Sequence, residues 1–319
     1  MASTTLEIRT LTPIWTGDAD GKCTEIKETG IIGSMRWWYE AIVRGMGGYA
    51  CDPTSSDSCK FDTDRYENAL ENGKNIENAL AVGLKKVCPA CRLFGCTGWR
   101  RRFRAEIENI DGNFSTGING GFEGVFEFKM CETGTISGND RWLLYQTLKI
   151  IDRYGAISGR TTRKPQRGPI GQNYGLINVY FGDMSEWSRY SDYTKVKEWI
   201  IRTKEDIDKT NDESWFNFGY YWIVKDRHID RINMNKLMGL DENGKPIRND
   251  DFCKFLRGKE GVSKKIFSFN KPEMVFGYVR NEEELDKIAD LLKIAFNSEE
   301  VQIEKGADIL VALNEVDDA

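Results

Sequence analysis

Residues 28–49 read ETGIIGSMRWWYEAIVRGMGGY, and the spacing of the apolar positions in this stretch governs how the rest of the chain is interpreted. Met35, Trp38, Tyr39, Ile42 and Met46 recur at the i, i+3, i+4 interval of one helical face, which predicts an amphipathic helix from Ser34 to about Arg44. Arg36, Glu40 and Arg44 then fall on the opposite face. Gly30 and Gly33 stand just ahead of it, where the absence of side chains lets another chain approach, and Ser34 suits an N-cap. A helix start of this kind attracts phosphate. An ordinary helix with a solvated charged side satisfies the same pattern.

The flanking segments supply partners for this helix. Leu6 and Ile8, with Leu11 nearby, give a strand-like alternation before Pro13, and a polar loop follows from Gly17 to Thr24. Beyond the helix, residues 51–78 are rich in Asp, Ser and Asn and read as an insertion at about 50–87. Phe103, Ala105, Ile107 and Ile110 suggest a second strand, and Val125 to Met130 a third. Trp142 to Ile151 marks a helix, and Leu176 to Phe181 a last short strand. Strand, helix, two strands, helix, strand is the split βαβ, or ferredoxin-like, order, here assigned to residues 1–182.

A second domain, 183–319, repeats the plan with a poorer signal. Tyr193 to Ile207, Ile229 to Leu240 and Glu282 to Phe296 read as helices, while Trp215 to Val224 and Met274 to Val279 read as strands. Val301, Ile303 and the run Ile309 to Leu313 are expected to supply the final strands. The fold class is therefore α+β, with two ferredoxin-like (RRM-like) domains and a cysteine-containing insertion in the first.

With 319 residues, of which 40% are hydrophobic, the chain can bury a full core. No apolar run approaches a membrane span, and Met1 to Thr12 lacks a secretory signal, so a cytoplasmic protein with no membrane partner is expected. The net charge of −5 hides a segregation. Residues 282–319 hold twelve acids and three bases, so they carry −9 and the remainder +4. No acid lies between Glu77 and Glu106, where Arg100, Arg101, Arg102 and Arg104 cluster, nor between Arg153 and Gly182, which holds Arg160, Arg163, Lys164 and Arg167. Two basic segments in one domain are the footprint of a phosphate-backbone binder.

Eight cysteines in a reducing compartment favour a metal site over disulfides. Cys51 and Cys59 bracket the polar insertion, and Cys88 and Cys91 form a Cys-x-x-Cys turn, so four thiolates can meet around a structural zinc. Unrelated reduced thiols are the alternative, and Cys96 is a spare ligand. His228, within KDRHID, is the only histidine, so serine or cysteine triads and two-histidine nucleases are excluded unless it is the whole base. Asp18 and Asp20 read as turn residues or a carboxylate pair.

GIIGSMRWWYEAIVRG, CPACRLFG and the glycine-rich segment ISGRTTRKPQRG together resemble the RAMP superfamily of CRISPR effector subunits, and within it the subunit-one family of type III-B Cmr complexes. The likeness is specific over about Leu6 to Phe103 and weaker beyond Phe181. It implies a non-catalytic RNA-binding subunit, placed beside other Cmr subunits at the end distal to the guide's 5′ tag. Guide RNA and target single-stranded RNA are the implied ligands. Carried onto this sequence, Gly30, Gly33, Ser34, Arg36, Trp37 and Arg44 would face RNA, with Arg100, Arg102 and Arg104 along one strand face. Arg160, Arg163, Lys164 and Arg167 would lie in a loop over the RNA, with Tyr174 as a stacking ring. A guide-processing endoribonuclease of the same superfamily, using His228 or a lysine as base, is the competing expectation.

Overall fold

The computed structural model describes residues 2–17, 20, 22–56, 58–115, 120–161, 173–259 and 262–313. The chain opens with strand β1 (Ser3–Thr10) and enters helix α1 (Glu28–Gly45). Three short helices follow, α2 (Thr63–Glu71), α3 (Ile76–Gly83) and α4 (Pro89–Phe94). A long hairpin of β2 (Phe103–Ser115) and β3 (Gly121–Glu132) leads to α5 (Gly138–Tyr154) and β4 (Ile177–Tyr180). After α6 (Tyr193–Ile207) come β5 (Tyr221–Lys225), α7 (Arg231–Leu237), α8 (Asp251–Arg257), β6 (Ile266–Asn270) and β7 (Glu273–Tyr278). Helix α9 (Glu282–Phe296), the two-residue strand β8 (Glu304–Lys305) and α10 (Gly306–Ala312) complete it. No helix among the described residues is long and apolar enough to cross a membrane.

Two four-stranded antiparallel sheets result, ordered β2-β3-β1-β4 and β6-β7-β5-β8. Each half places its first strand between its third and fourth, with the second at an edge. Alternation explains the central strand of the second sheet. Along β5, Tyr221 and Ile223 join the larger core, whereas Trp222 and Val224 join a smaller one with Met234, Leu237, Ile288 and Leu292. Both faces of the sheet are thus covered, and β5 reads as an unbroken apolar run. The larger core reaches from Leu6, Ile8, Phe126 and Phe128 of the first sheet to Tyr221, Phe267 and Phe276 of the second.

Helix α1 fills the space between the two sheets. It begins at Glu28, a turn and a half before the expected start, so Gly30, Gly33 and Ser34 are helical and Ser34 is not the cap. Its apolar and polar sides are both covered: Ile31, Met35, Trp38, Tyr39 and Ile42 are buried, and so are Glu40 and Arg44. The expected solvated face is largely covered, with Glu40 and Arg44 buried and Arg36 17% exposed, because the second half packs where water was expected. Trp38 is the hinge of that packing, edge-on to Phe216, Phe218 and Tyr221, with its Nε1 donating to the Ala156 carbonyl at 2.9 Å. At the helix end, a side chain on Gly45 would sit 2.8 Å from the Gly219 backbone nitrogen, so only glycine permits this approach.

The sequence reading needs three further corrections. The run Ile309 to Leu313 lies largely in α10, packed on the 3-10 turn Phe218–Tyr220, rather than in a strand. Residues 215–220 precede β5 as loop and 3-10 turn rather than strand. The segment between α1 and β2 holds three helices, of which α2 and α3 are capped by Asp62 and Asn75 side chains.

Candidate nucleic-acid interface and metal centre

A cleft of about 800 Å³ opens between α1 and the second sheet. Its α1 wall carries Gly30, Gly33, Ser34, Arg36, Trp37 and Arg44, six residues singled out from the sequence. Gly33 is the open point of this wall: a side chain there would meet no atom within 4 Å. Ser34 Oγ donates to the Gly30 carbonyl at 3.1 Å and accepts from the Ser158 backbone N–H at 2.7 Å, which holds the loop after α5 to the cleft rim. Trp37 is half-buried, its ring 4.5 Å from Phe216 between centroids.

The opposite wall was not foreseen. Lys264 and Lys265, just before β6, line the cleft with Phe267, Phe276 and Tyr278, but each is only 6% exposed, and the Lys264 ammonium is held by the Ile266 carbonyl and Met234 Sδ. Lys265 Nζ donates to the Ser263 carbonyl at 2.7 Å and lies 5.5 Å from the Phe255 ring and 5.7 Å from that of Tyr278. Burial lowers its pKa to about 8, so the ammonium form still dominates at neutral pH. The only local signal for these residues is a Lys-Lys pair ahead of an alternating strand. Nothing in it indicates that the pair faces α1.

The polar row of α1 is internally engaged. Arg36 Nε pairs with Glu40 Oε1 at 2.7 Å, its Nη1 donates to the Gly95 carbonyl at 3.1 Å and its Nη2 to Cys91 Sγ at 3.1 Å. Arg44 donates to the carbonyls of Ala50, Cys51 and Phe216 and lies 5.0 Å over the Trp215 ring. Its side chain is 4% exposed, so it ties the two halves together and offers no surface to a ligand. Burial raises the Glu40 pKa against the opposing pull of Arg36 and Arg44, and burial lowers that of Arg44. Burial also pulls on Arg36, but Glu40 and Cys91 more than offset it and its pKa rises.

The remaining expected contacts lie elsewhere. Arg100 and Arg102 precede β2 and donate to the Thr133 and Thr135 carbonyls, and Arg102 lies 4.6 Å over the Trp99 ring. Arg104 is exposed and paired with Glu106. None of the three lines the cleft. Arg160 lies 4.4 Å over the Trp15 ring. Tyr174 is 1% exposed, which removes it as a stacking ring. Arg163, Lys164 and Arg167 lie outside the described residues. His228 is exposed and pairs with Glu273 at 3.2 Å, away from the cleft-lining residues.

Behind the α1 wall, Cys51, Cys59, Cys88 and Cys91 form a buried cluster whose sulfur atoms all lie within 4.8 Å of one another. Cys51 Sγ is 3.4 Å from Cys91 Sγ and 3.9 Å from Cys88 Sγ. A tetrahedral ion with bonds of about 2.3 Å sets its sulfurs roughly 3.8 Å apart, whereas a disulfide needs about 2.05 Å. The spacing therefore fits a metal ion and not a bond. Pro89 at the first turn of α4 and Arg92, bonded to the Leu84 and Val87 carbonyls, fix the Cys-x-x-Cys turn. Hydrogen bonding to Cys51 is the chief cause that raises Cys59, Cys88 and Cys91, with burial a lesser one, and hydrogen bonds with those three lower Cys51. Four thiols this close and this dry shed their remaining protons only against a cation.

A model of the RAMP superfamily matches residues 7–303. No curated protein matches the sequence. Among solved structures, the crystal structure of Cmr1 from Pyrococcus furiosus (apo form) aligns over 96% of this chain and 99% of its own, with 10% identity and a TM-score of 0.44. With the family model extending over nearly all of its length, the chain belongs to the RAMP superfamily.

Proposed function

We propose that this chain is a non-catalytic RNA-binding subunit of a type III-B CRISPR ribonucleoprotein effector, of the subunit-one kind. It holds guide or target single-stranded RNA at the end distal to the guide's 5′ tag, beside other RAMP subunits, in the cytoplasm. The observation that carries this reading is the cleft. It combines an open glycine on a helix, a half-buried tryptophan and, beneath the facing wall, the buried charge of Lys265, with Lys264 turned to the Ile266 carbonyl. A sugar-phosphate strand needs close backbone approach, an aromatic platform and positive charge, and no base-specific fork. Superfamily membership and the motifs GIIGSMRWW and CPACRLFG support the assignment to a Cmr effector.

The strand orders β2-β3-β1-β4 and β6-β7-β5-β8 support reading both halves as ferredoxin-like, with a boundary near residue 182. The four-cysteine cluster supports a structural zinc held by Cys51, Cys59, Cys88 and Cys91, because tetrahedral all-sulfur sites suit zinc. Bound there, zinc would supply cross-linking of the segment between α1 and β2, not chemistry on a substrate.

Incubating purified chain with single-stranded RNA, with and without magnesium, tests the proposal. The expected result is binding that weakens steeply with salt and leaves the RNA intact. A second reading, a guide-processing endoribonuclease, is favoured by one observation: Lys265 lines the cleft with its pKa lowered to about 8 by burial, in the range of a general base. Defined cuts abolished by Lys265→Met would establish that reading instead.

A further inference from the structure

We infer that Arg36 is a positioning residue that ties the four-cysteine site to the cleft, so that metal loading sets how firmly α1 presents its polar row. The inference rests on the metal reading above and extends it to the cleft wall. The contacts form a closed circuit. Arg36 reaches Cys91 Sγ and Glu40, Glu40 lies 3.8 Å from Arg44, and Arg44 donates to the carbonyl of Cys51, whose sulfur is 3.4 Å from that of Cys91. The circuit leaves the cysteine cluster at one ligand and returns at another, passing along the α1 face that lines the cleft.

Charge gives the circuit its direction. Four thiolates around a divalent ion sum to −2, and these cysteines are 0–7% exposed, so water does little to offset that charge. Arg36 supplies an adjacent cation and a hydrogen bond to one sulfur, the outer-shell arrangement that orients a ligand and strengthens metal binding. Without the ion nothing draws the four sulfurs together, and the Cys91 Sγ that Arg36 contacts at 3.1 Å loses its fixed position. Arg36 then keeps Glu40 and the Gly95 carbonyl alone, and the row that also carries Arg44, with its bond to the Phe216 carbonyl of the second half, loses its anchor.

The test compares zinc-loaded full-length chain with chain stripped by chelator under reductant, alongside Arg36→Gln and Arg36→Lys. Cobalt titration followed by its visible thiolate bands reports affinity and stoichiometry, and hydrogen exchange reports the cleft wall. One ion per chain is expected, with affinity about 10–100-fold lower in Arg36→Gln and partly recovered in Arg36→Lys. In the stripped chain, amides of residues 30–44 and 50–54 should exchange faster while those of α9 are unchanged. A chain that takes up no metal, an Arg36→Gln variant with wild-type metal affinity, or a stripped chain with unchanged exchange over 30–44 would overturn the inference. Should Arg36→Gln fail to fold, the stripped wild-type comparison decides alone. Neither readout uses RNA, so failure of the RNA reading would register separately.

Discussion

Gly33 separates binding from stability. It sits inside a helix with free space beside it, so Gly33→Ala should raise stability by about 0.5–1 kcal/mol in urea denaturation. Gly33→Glu puts a carboxylate into the cleft and should weaken RNA binding about tenfold or more, near 1.4 kcal/mol, without lowering the melting temperature. Lys265 gives a pH signature. Its pKa of about 8 lies below the unfolded value of 10.5, so its burial costs stability fully below pH 8, and stability rises as pH climbs from about 8 to 10.5. Lys265→Met should flatten that rise in urea midpoints measured across the range. RNA affinity should fall over the same interval as the ammonium is lost. At this scale the α1 wall was legible because glycine, serine, arginine and tryptophan stand together in a few turns. The facing lysines were not, since their position depends on a contact about 230 residues distant in sequence.

Element boundaries were most legible where local chemistry sets them. Helices α6 and α9 run over the expected Tyr193–Ile207 and Glu282–Phe296 because Asp192 and Asn281 cap their starts and Asp208 and Asn297 adopt left-handed turns at their ends. Helix α1 has no side-chain cap, and its true start was hidden. The run Ile309 to Leu313 has no period to distinguish strand from helix, and packing against the Phe218–Tyr220 turn decides it. Strand β6 escaped notice because IFSFN is only five residues long and its faces are filled by different cores. The role of α1 as a wedge between sheets has a direct consequence. Trp38→Ala removes contacts to Phe216, Phe218 and Tyr221 and one hydrogen bond to Ala156, and should cost about 3–5 kcal/mol in urea denaturation.

Across the whole molecule, the two sheets share one strand order although no residue-level repeat betrays it, and one core reaches across both while a smaller one lies on the second sheet alone. The cysteine cluster was legible in full from Cys-x-x-Cys plus two bracketing cysteines, because metal ligands must converge whatever the intervening chain does. The basic segments were legible as charge but not as surface. Arg36 and Arg44 are spent on internal partners, Arg104 on Glu106, and Arg100 and Arg102 on backbone carbonyls away from the cleft. What remains is a cleft between the halves whose walls come from α1, the loop after α5 and the segment before β6. Photo-crosslinking of 4-thiouridine-labelled single-stranded RNA to the purified chain, followed by peptide mapping, tests this most directly. The account expects crosslinks at residues 30–37, 156–161 and 262–267, reduced by Gly33→Glu. Crosslinks confined to the surface around Arg100–Arg104, with none in those three segments, would contradict it.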